Sequence, residues 1–265
     1  MKRARFITIT DLHQHVDLFR QLMEAVEIHQ PDAILSGGDF LHRPYSPNSL
    51  PRADLARSLR RAKVPLVMAR GNHEGPNWTP FADFLPEAVT LHAERRVVGG
   101  VPVIGFPCPI DEDSEFRGER PYHHSLLDWL PRVSAPGRAA RDIWLSHIPP
   151  RGAGLADANE DRYSGTLELT AAIRVFQPRL VISGHDHNTP LDSGRWHTRI
   201  GNTICVNLGQ EVADDQEGGL HYGVCEISEG GMEFTHWRGS EIVGQVSDYA
   251  GASDLAHAES EAVAA

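Results

Sequence analysis

The sequence predicts an α/β fold built on mixed rather than purely parallel sheet, and three observations predict it. Short apolar runs alternate with amphipathic segments through the first two thirds of the chain. The helical segments close at or near prolines, which cannot continue a helix. In the last third, strand-like runs follow one another through tight turns with no helix between them, which adds antiparallel pairs.

The elements follow in order. "RFITIT" (5–10) reads as the first strand. "HVDLFRQLMEAVEIH" (15–29) sets Val16, Phe19, Met23 and Val26 at alternating steps of three and four, with Leu22 beside them, so one helical face is apolar and "QPD" stops it. "AILSG" (33–37) is a strand, "LPRADLARSLRRAKVP" (50–65) a helix, and "PLVMA" (65–69), "VPVIGF" (101–106) and "DIWLS" (142–146) are strands. "SGTLELTAAIRVFQP" (164–178) is helical, and "RLVIS" (179–183) and "TICVNLG" (203–209) return to strand. "LHYGVCEISEGGMEFTHW" (220–237) is a hairpin turning at Glu229–Gly231. Residues 1–244 form the expected domain. The tail 245–265, rich in Ala, Ser and acids, is expected to be poorly ordered. The long charged loop 109–125 is either mobile or part of a binding site.

Composition narrows the function. The 265 residues give room for one large α/β domain or two small ones. Cys108, Cys205 and Cys225 are odd in number and widely spaced, which argues against a disulfide framework and a thiolate zinc site and fits a reducing compartment. The first apolar run stops at Asp11, too soon for a signal peptide, and no stretch approaches transmembrane length. A cytoplasmic protein with no membrane partner is expected. A net charge of −11 argues against a grip on long nucleic acid through its phosphates.

Fifteen histidines are many, and their positions matter more than their number. "RFITIT" runs into Asp11 and His13, and "AILSG" into Gly38 and Asp39. "PLVMAR" runs into Asn72, His73 and Glu74, "DIWLS" into His147, and "RLVIS" into Gly184, His185 and His187. In open α/β sheets the carboxyl ends of strands line the ligand crevice, so these residues are expected to converge. Carboxylates, a carboxamide and imidazoles suit manganese, iron or zinc rather than calcium. There are enough of them for two divalent ions, manganese favoured. Gly38, Gly71 and Gly184 are expected to let the backbone turn sharply at each strand end.

The five motifs "DLH", "GGDF", "GNHE", "SHIPP" and "GHDH" resemble, in order, the signature of the calcineurin-like metallophosphoesterase superfamily. The resemblance runs from residue 5 to about 209. It implies an αββα sandwich, mixed sheets flanked by helices, around a dinuclear metal site. By motif position, Asp11, His13 and His187 would bind one metal, Asn72, His147 and His185 the other, and Asp39 would bridge them. Asp186 is not an expected ligand. The resemblance further implies hydrolysis of a phosphate ester by a metal-bridging hydroxide, with His73 as the general acid.

The second motif departs from the Ser/Thr protein phosphatase branch, which reads G-D-x-x-D-R-G. Here His42 stands in place of the second Asp and Arg43 follows. His42 is similar to the histidine of the recombination-repair nuclease branch, which helps orient a phosphodiester, and Arg43 could add a phosphate contact. The acidic charge and the short chain after "GHDH" stand against a nuclease of that type, and "SHIPPRG" resembles segments of small phosphodiesterases. A small or medium-sized phosphodiester is therefore the expected substrate. A phosphomonoesterase on small metabolites, a nuclease on short or single-stranded nucleic acid, and an inactive binding scaffold of the same fold stay open. Arg70, Arg151 and Asn188 flank the motifs as candidate substrate contacts.

Overall fold

A computed structural model describes residues 3–41, 50–74, 88–106, 126–156, 165–211 and 218–248. The first strand, β1 (Ala4–Ile9), lies in the middle of one sheet with its side chains divided between two cores. Phe6 points toward a second sheet, whereas Ile7 and Ile9 face helices. That division is the two-residue period of a strand buried on both faces.

Parallel to β1 run β2 (Ala33–Ser36), β3 (Leu66–Met68) and β4 (Val89–Thr90). On its other side lie the antiparallel β11 (His221–Ile227), β12 (Met232–Arg238) and β13 (Glu241–Ser247). The second sheet has a parallel centre of β6 (Val101–Gly105), β7 (Ile143–Leu145), β8 (Leu180–Ser183) and β10 (Thr203–Asn207). Antiparallel edge strands β5 (Glu94–Val98) and β9 (His197–Ile200) flank it. Both sheets are mixed, as the sequence predicts.

Three apolar layers hold the stack together. Phe6, Leu35, Val67, Leu145, Ile182 and Phe234 fill the space between the sheets. On the outer face of the first sheet, α1 (Val16–His29) and α2 (Arg52–Ala62) bury Leu22, Val26, Leu55 and Leu59. On the outer face of the second, α3 (Leu126–Val133) and α4 (Leu167–Phe176) cover Trp144 and Val181. A short α5 (Asn188–Ser193) follows β8. The order helix, sheet, sheet, helix is the expected αββα sandwich. Among the described residues, no helix is long and apolar enough to cross a membrane.

Several details differ from the sequence reading. In α1 the buried positions are Leu18, Phe19, Leu22, Ala25 and Val26, while Val16 is 40% exposed because the buried face takes in Leu18, Leu22 and Ala25, one position ahead of Phe19, Met23 and Val26. Strand β13 carries the sheet past the boundary expected at 244. Its side chains are mostly exposed, so its sequence lacks the apolar content that marks the other strands. Strand β5, with Arg95 and Arg96, is concealed for the same reason. The loop 109–125, His42 and Arg43 lie outside the described residues, as does the tail from 249.

Candidate metal centre

The parallel strands β1, β2, β3, β7 and β8 end at the same pole, and the five motifs meet there. The loops are knitted together by backbone bonds: the amides of Asp11, His13 and Gln14 donate to the carbonyls of Gly38, Asp39 and Phe40 at 3.0, 2.8 and 2.9 Å. His185 N donates to both carboxylate oxygens of Asp11, at 3.1 and 3.0 Å, which joins the first and last motifs.

Backbone strain is concentrated here. Asp11, His13, Asp39 and His185 have φ of 53°, 47°, 49° and 69°, in the left-handed region that non-glycine residues rarely adopt. The glycines do different work from that expected. Gly38 has φ 115°, but neither Gly71 nor Gly184 has positive φ. A Cβ at Gly71 would collide with the Asp39 carboxylate, and one at Gly184 with that of Asp11. These two glycines are needed because carboxylates pack onto their Cα atoms, not because the chain turns there.

The donor atoms crowd together. His13 Nε2 lies 3.1 Å from His187 Nε2, and His187 Nε2 3.3 Å from Asp11 Oδ1. Asp11, His13 and His187 therefore form one cluster whose ligand atoms lie within 4.8 Å of one another. Asn72 Oδ1 faces His147 Nε2 at 2.8 Å and His185 Nδ1 at 3.1 Å. Asp39 Oδ2 stands between the groups, 3.2 Å from His147 Nε2 and 3.9 Å from His13 Nε2. His73 touches both sides: its ring meets His13 edge-on at 4.6 Å, and its backbone N donates to Asp39 Oδ1 at 2.8 Å. Its Nε2 is 4.0 Å from Asp39 Oδ2, so His13, Asp39 and His73 make a further cluster of metal-ligand type.

Electrostatics fit a cation. Asp11 and Asp39 are buried, which alone would raise their pKa values, yet His187 holds Asp11 well below the usual carboxylate range and His147 holds Asp39 at about 2. Burial pushes His13 down to about 3 and His185 to about 4, so both rings are neutral and present lone pairs. Burial opposes a charge on His147, but Asp39 outweighs it and lifts the ring to about 9. Two buried carboxylates facing imidazole nitrogens at these distances are a candidate donor set for a divalent ion, and a metal there would displace the His147 proton.

The supporting roles of two residues could not be read from the sequence. Glu74 is 3% exposed and accepts three backbone bonds, from Asp39 N (2.9 Å), Leu41 N (2.9 Å) and Gly71 N (2.6 Å). It clamps the loop after β2 to the loop after β3, and burial, with Asp39 adding, raises it to about 7. Asn207, at the end of β10, is fully buried. Its Nδ2 reaches the carbonyls of Leu155 and Asp186 at 3.0 Å and of Gly184 at 3.4 Å. The final residue of "GNHE" and the Asn of "VNLG" were both visible as motif letters, but a clamp's partners are backbone atoms, which leave no residue pattern.

Asp186 is not among the converging donors. Its carboxylate caps α5, accepting from Asn188 N (3.1 Å), Thr189 N (2.8 Å) and Thr189 Oγ1 (2.6 Å). Arg151 and Asn188 are exposed, and Arg70 is half-buried.

The chain matches the family model for calcineurin-like phosphoesterases over residues 4–189 and belongs to that family. Membership implies a metal-dependent hydrolase acting on phosphoric esters, and the clusters above are its candidate divalent-metal ligands. Solved structures share the fold at low identity. TT1561 of Thermus thermophilus is 16% identical with a TM-score of 0.57, over 92% of this chain and 97% of that one. GAP50, the anchor in the inner membrane complex of Plasmodium, is 11% identical with a TM-score of 0.58, over 96% and 90%. The purple acid phosphatase PPD1 of yellow lupin is 12% identical with a TM-score of 0.54, over 96% of this chain and 57% of that one. None of the curated proteins matches the sequence.

Proposed function

We propose that the chain hydrolyses small or medium-sized phosphodiesters at a dinuclear centre, manganese favoured. The observation that carries this reading is the convergence of Asp11, His13, Asp39, Asn72, His147, His185 and His187 from five strand ends onto one cluster, with Asp11, His13, Asp39 and His147 buried. Fold likeness alone does not choose, since the fold neighbours include one described as a phosphatase and one described as an anchor. A complete donor set favours the enzyme over a binding scaffold.

Asp11, His13 and His187 would hold one ion, Asn72, His147 and His185 the other, and Asp39 both. Divalent ions bound there supply positive charge for the phosphoryl oxygens and lower the pKa of a bound water. The residues do the rest. Asp39 and Asp11 fix the positions of the neighbouring imidazoles, and His185 is held through its backbone bond to Asp11. His73 is 30% exposed, in contrast to the fully buried His147, so its ring is open to substrate. From there it delivers a proton to the leaving oxygen. The preference for a diester rests on His42 by sequence position, with Arg43 as a second phosphate contact.

The test is a paired rate assay on manganese-loaded protein with an aryl phosphodiester and the matching monoester. Faster diester cleavage supports the proposal, and faster monoester cleavage replaces it with a phosphomonoesterase. In either case Asp39→Asn should bind metal less tightly and lose hydrolysis by about a hundredfold or more. Hydrolysis by Asp39→Asn at the wild-type rate would refute the dinuclear mechanism.

A further inference from the structure

Beyond the loop that follows His147, the chain builds a cationic surface that the phosphoester chemistry does not use. A groove of about 790 Å³ runs between α4 and the edge strand β9. Three exposed arginines line it: Arg174 from the last turn of α4, Arg195 just ahead of β9, and Arg199 within it. No Asp or Glu is among the described lining residues, in a chain whose net charge is −11. Arg174 and Arg195 have no carboxylate partner among the described residues.

The groove is fixed on each side. Thr170 Oγ1 donates to the Arg151 carbonyl at 2.8 Å, tying the loop to α4. Gln177 Oε1 accepts from Asn202 N at 2.7 Å, tying the end of α4 to the turn after β9. Arg199 Nη2 donates to the Ser247 carbonyl at 2.6 Å. Gly154 has φ 72°, and a Cβ there would stand 2.5 Å from Arg195 Nη1, so this glycine is what lets the guanidinium lie against the loop. A cavity of about 810 Å³ beside Val101, Pro102 and Ile227 differs in having a carboxylate, Glu229, in its wall and in having two of the four arginines among its described lining residues paired, Arg95 at 3.6 Å from Asp142 and Arg179 at 3.2 Å from Asp248.

We propose that the groove between α4 and β9 is a binding site for a small phosphate-bearing ligand, separate from the metal centre. Guanidinium forks match phosphoryl oxygens in geometry as well as charge, and the volume is that of a small-molecule site. The polar lining suits a ligand recognised by its phosphoryl group. This site stands whether or not the metal centre prefers diesters.

The experiment measures binding of phenylphosphonate, whose C–P bond survives a phosphoesterase, to the metal-loaded full chain. Wild type should bind one more equivalent than Arg174→Ser/Arg195→Ser, with the melting temperature unchanged because both side chains are exposed. Gly154→Ala should weaken the groove's affinity by about tenfold or more, because Arg195 must move. Binding at the groove should also weaken as salt rises. If the metal centre binds no phosphonate, wild type should still take up one equivalent and the double variant none. Equal stoichiometry and affinity in wild type and the double variant would overturn the site.

Discussion

Asn207→Asp is the most demanding test of how the last motif is held. The substitution keeps the shape and exchanges the Nδ2 donor for an oxygen. In the native chain that nitrogen faces three carbonyl oxygens, those of Leu155, Asp186 and Gly184, at 3.0, 3.0 and 3.4 Å, in a fully buried position. An amide has two hydrogens, so about two net hydrogen bonds of about 1 kcal/mol each are lost. The carbonyls then face an acceptor without solvent, at a further cost of about 1–3 kcal/mol. A total near 3–5 kcal/mol is a large part of the stability of an ordinary domain, about 5–15 kcal/mol. Two of the three carbonyls belong to the segment that carries His185 and His187, so metal affinity should fall with stability. Urea unfolding at neutral pH and calorimetric metal titration measure the two effects. Acidification should return part of the loss, because a protonated carboxyl can donate one of the bonds. A variant with the wild-type urea midpoint and metal affinity would show that Asn207 does not hold the "GHDH" segment.

Three further perturbations separate the roles of individual residues. His73→Ala should slow esters with poor leaving groups by about 10²–10⁴-fold and activated aryl esters much less; equal losses for both would remove His73 from proton delivery. Glu74→Gln should lower metal affinity and kcat at little cost in stability. The lost bond to Leu41 N is offset by removing a buried charge beside Asp39. A large drop in urea midpoint without loss of activity would contradict that account. His236 lies away from the metal ligands, 3.0 Å from His221, and is pushed down to about 3 by burial, with His221 and His197 adding to it. Unfolded, it takes up a proton near 6.5, so between these values the unfolded chain binds more protons and stability falls as pH drops. The loss is about 2 kcal/mol at pH 5. His236→Gln should flatten that dependence between pH 7.5 and 5, and an unchanged slope in urea midpoint would refute the assignment.

What the sequence made legible was set by side-chain chemistry. The central strands carry apolar runs because both of their faces are buried, so "ILS", "VIS" and "CVN" could be read directly. The proposed ligands could be picked out because each follows such a run. Strands β5 and β13 were hidden because edge strands expose their side chains, and nothing in "ERRVV" or "EIVGQVS" distinguishes them from a polar connection. Gly71 and Gly184 were recognised but misread. A turn and a close-packed carboxylate both require the absence of a Cβ, and only the three-dimensional contact tells them apart.

The strained residues and the buried clamps belong to one design. Four of the proposed ligands occupy left-handed backbone conformations, which cost about 1–3 kcal/mol each and persist only where the surroundings over-determine them. Here the over-determination is visible: Asp11 N and His13 N are bonded across to the β2 loop, Glu74 gathers that loop against the next, and Asn207 gathers the last motif. None of these supporting bonds uses a metal-facing atom. The cage is therefore shaped by the sandwich beneath it, and a cation would find its ligands already in place. The rigid parallel strands fix where the loops begin, and the clamps fix how they end, which leaves His73 more exposed than His13, His147 and His187.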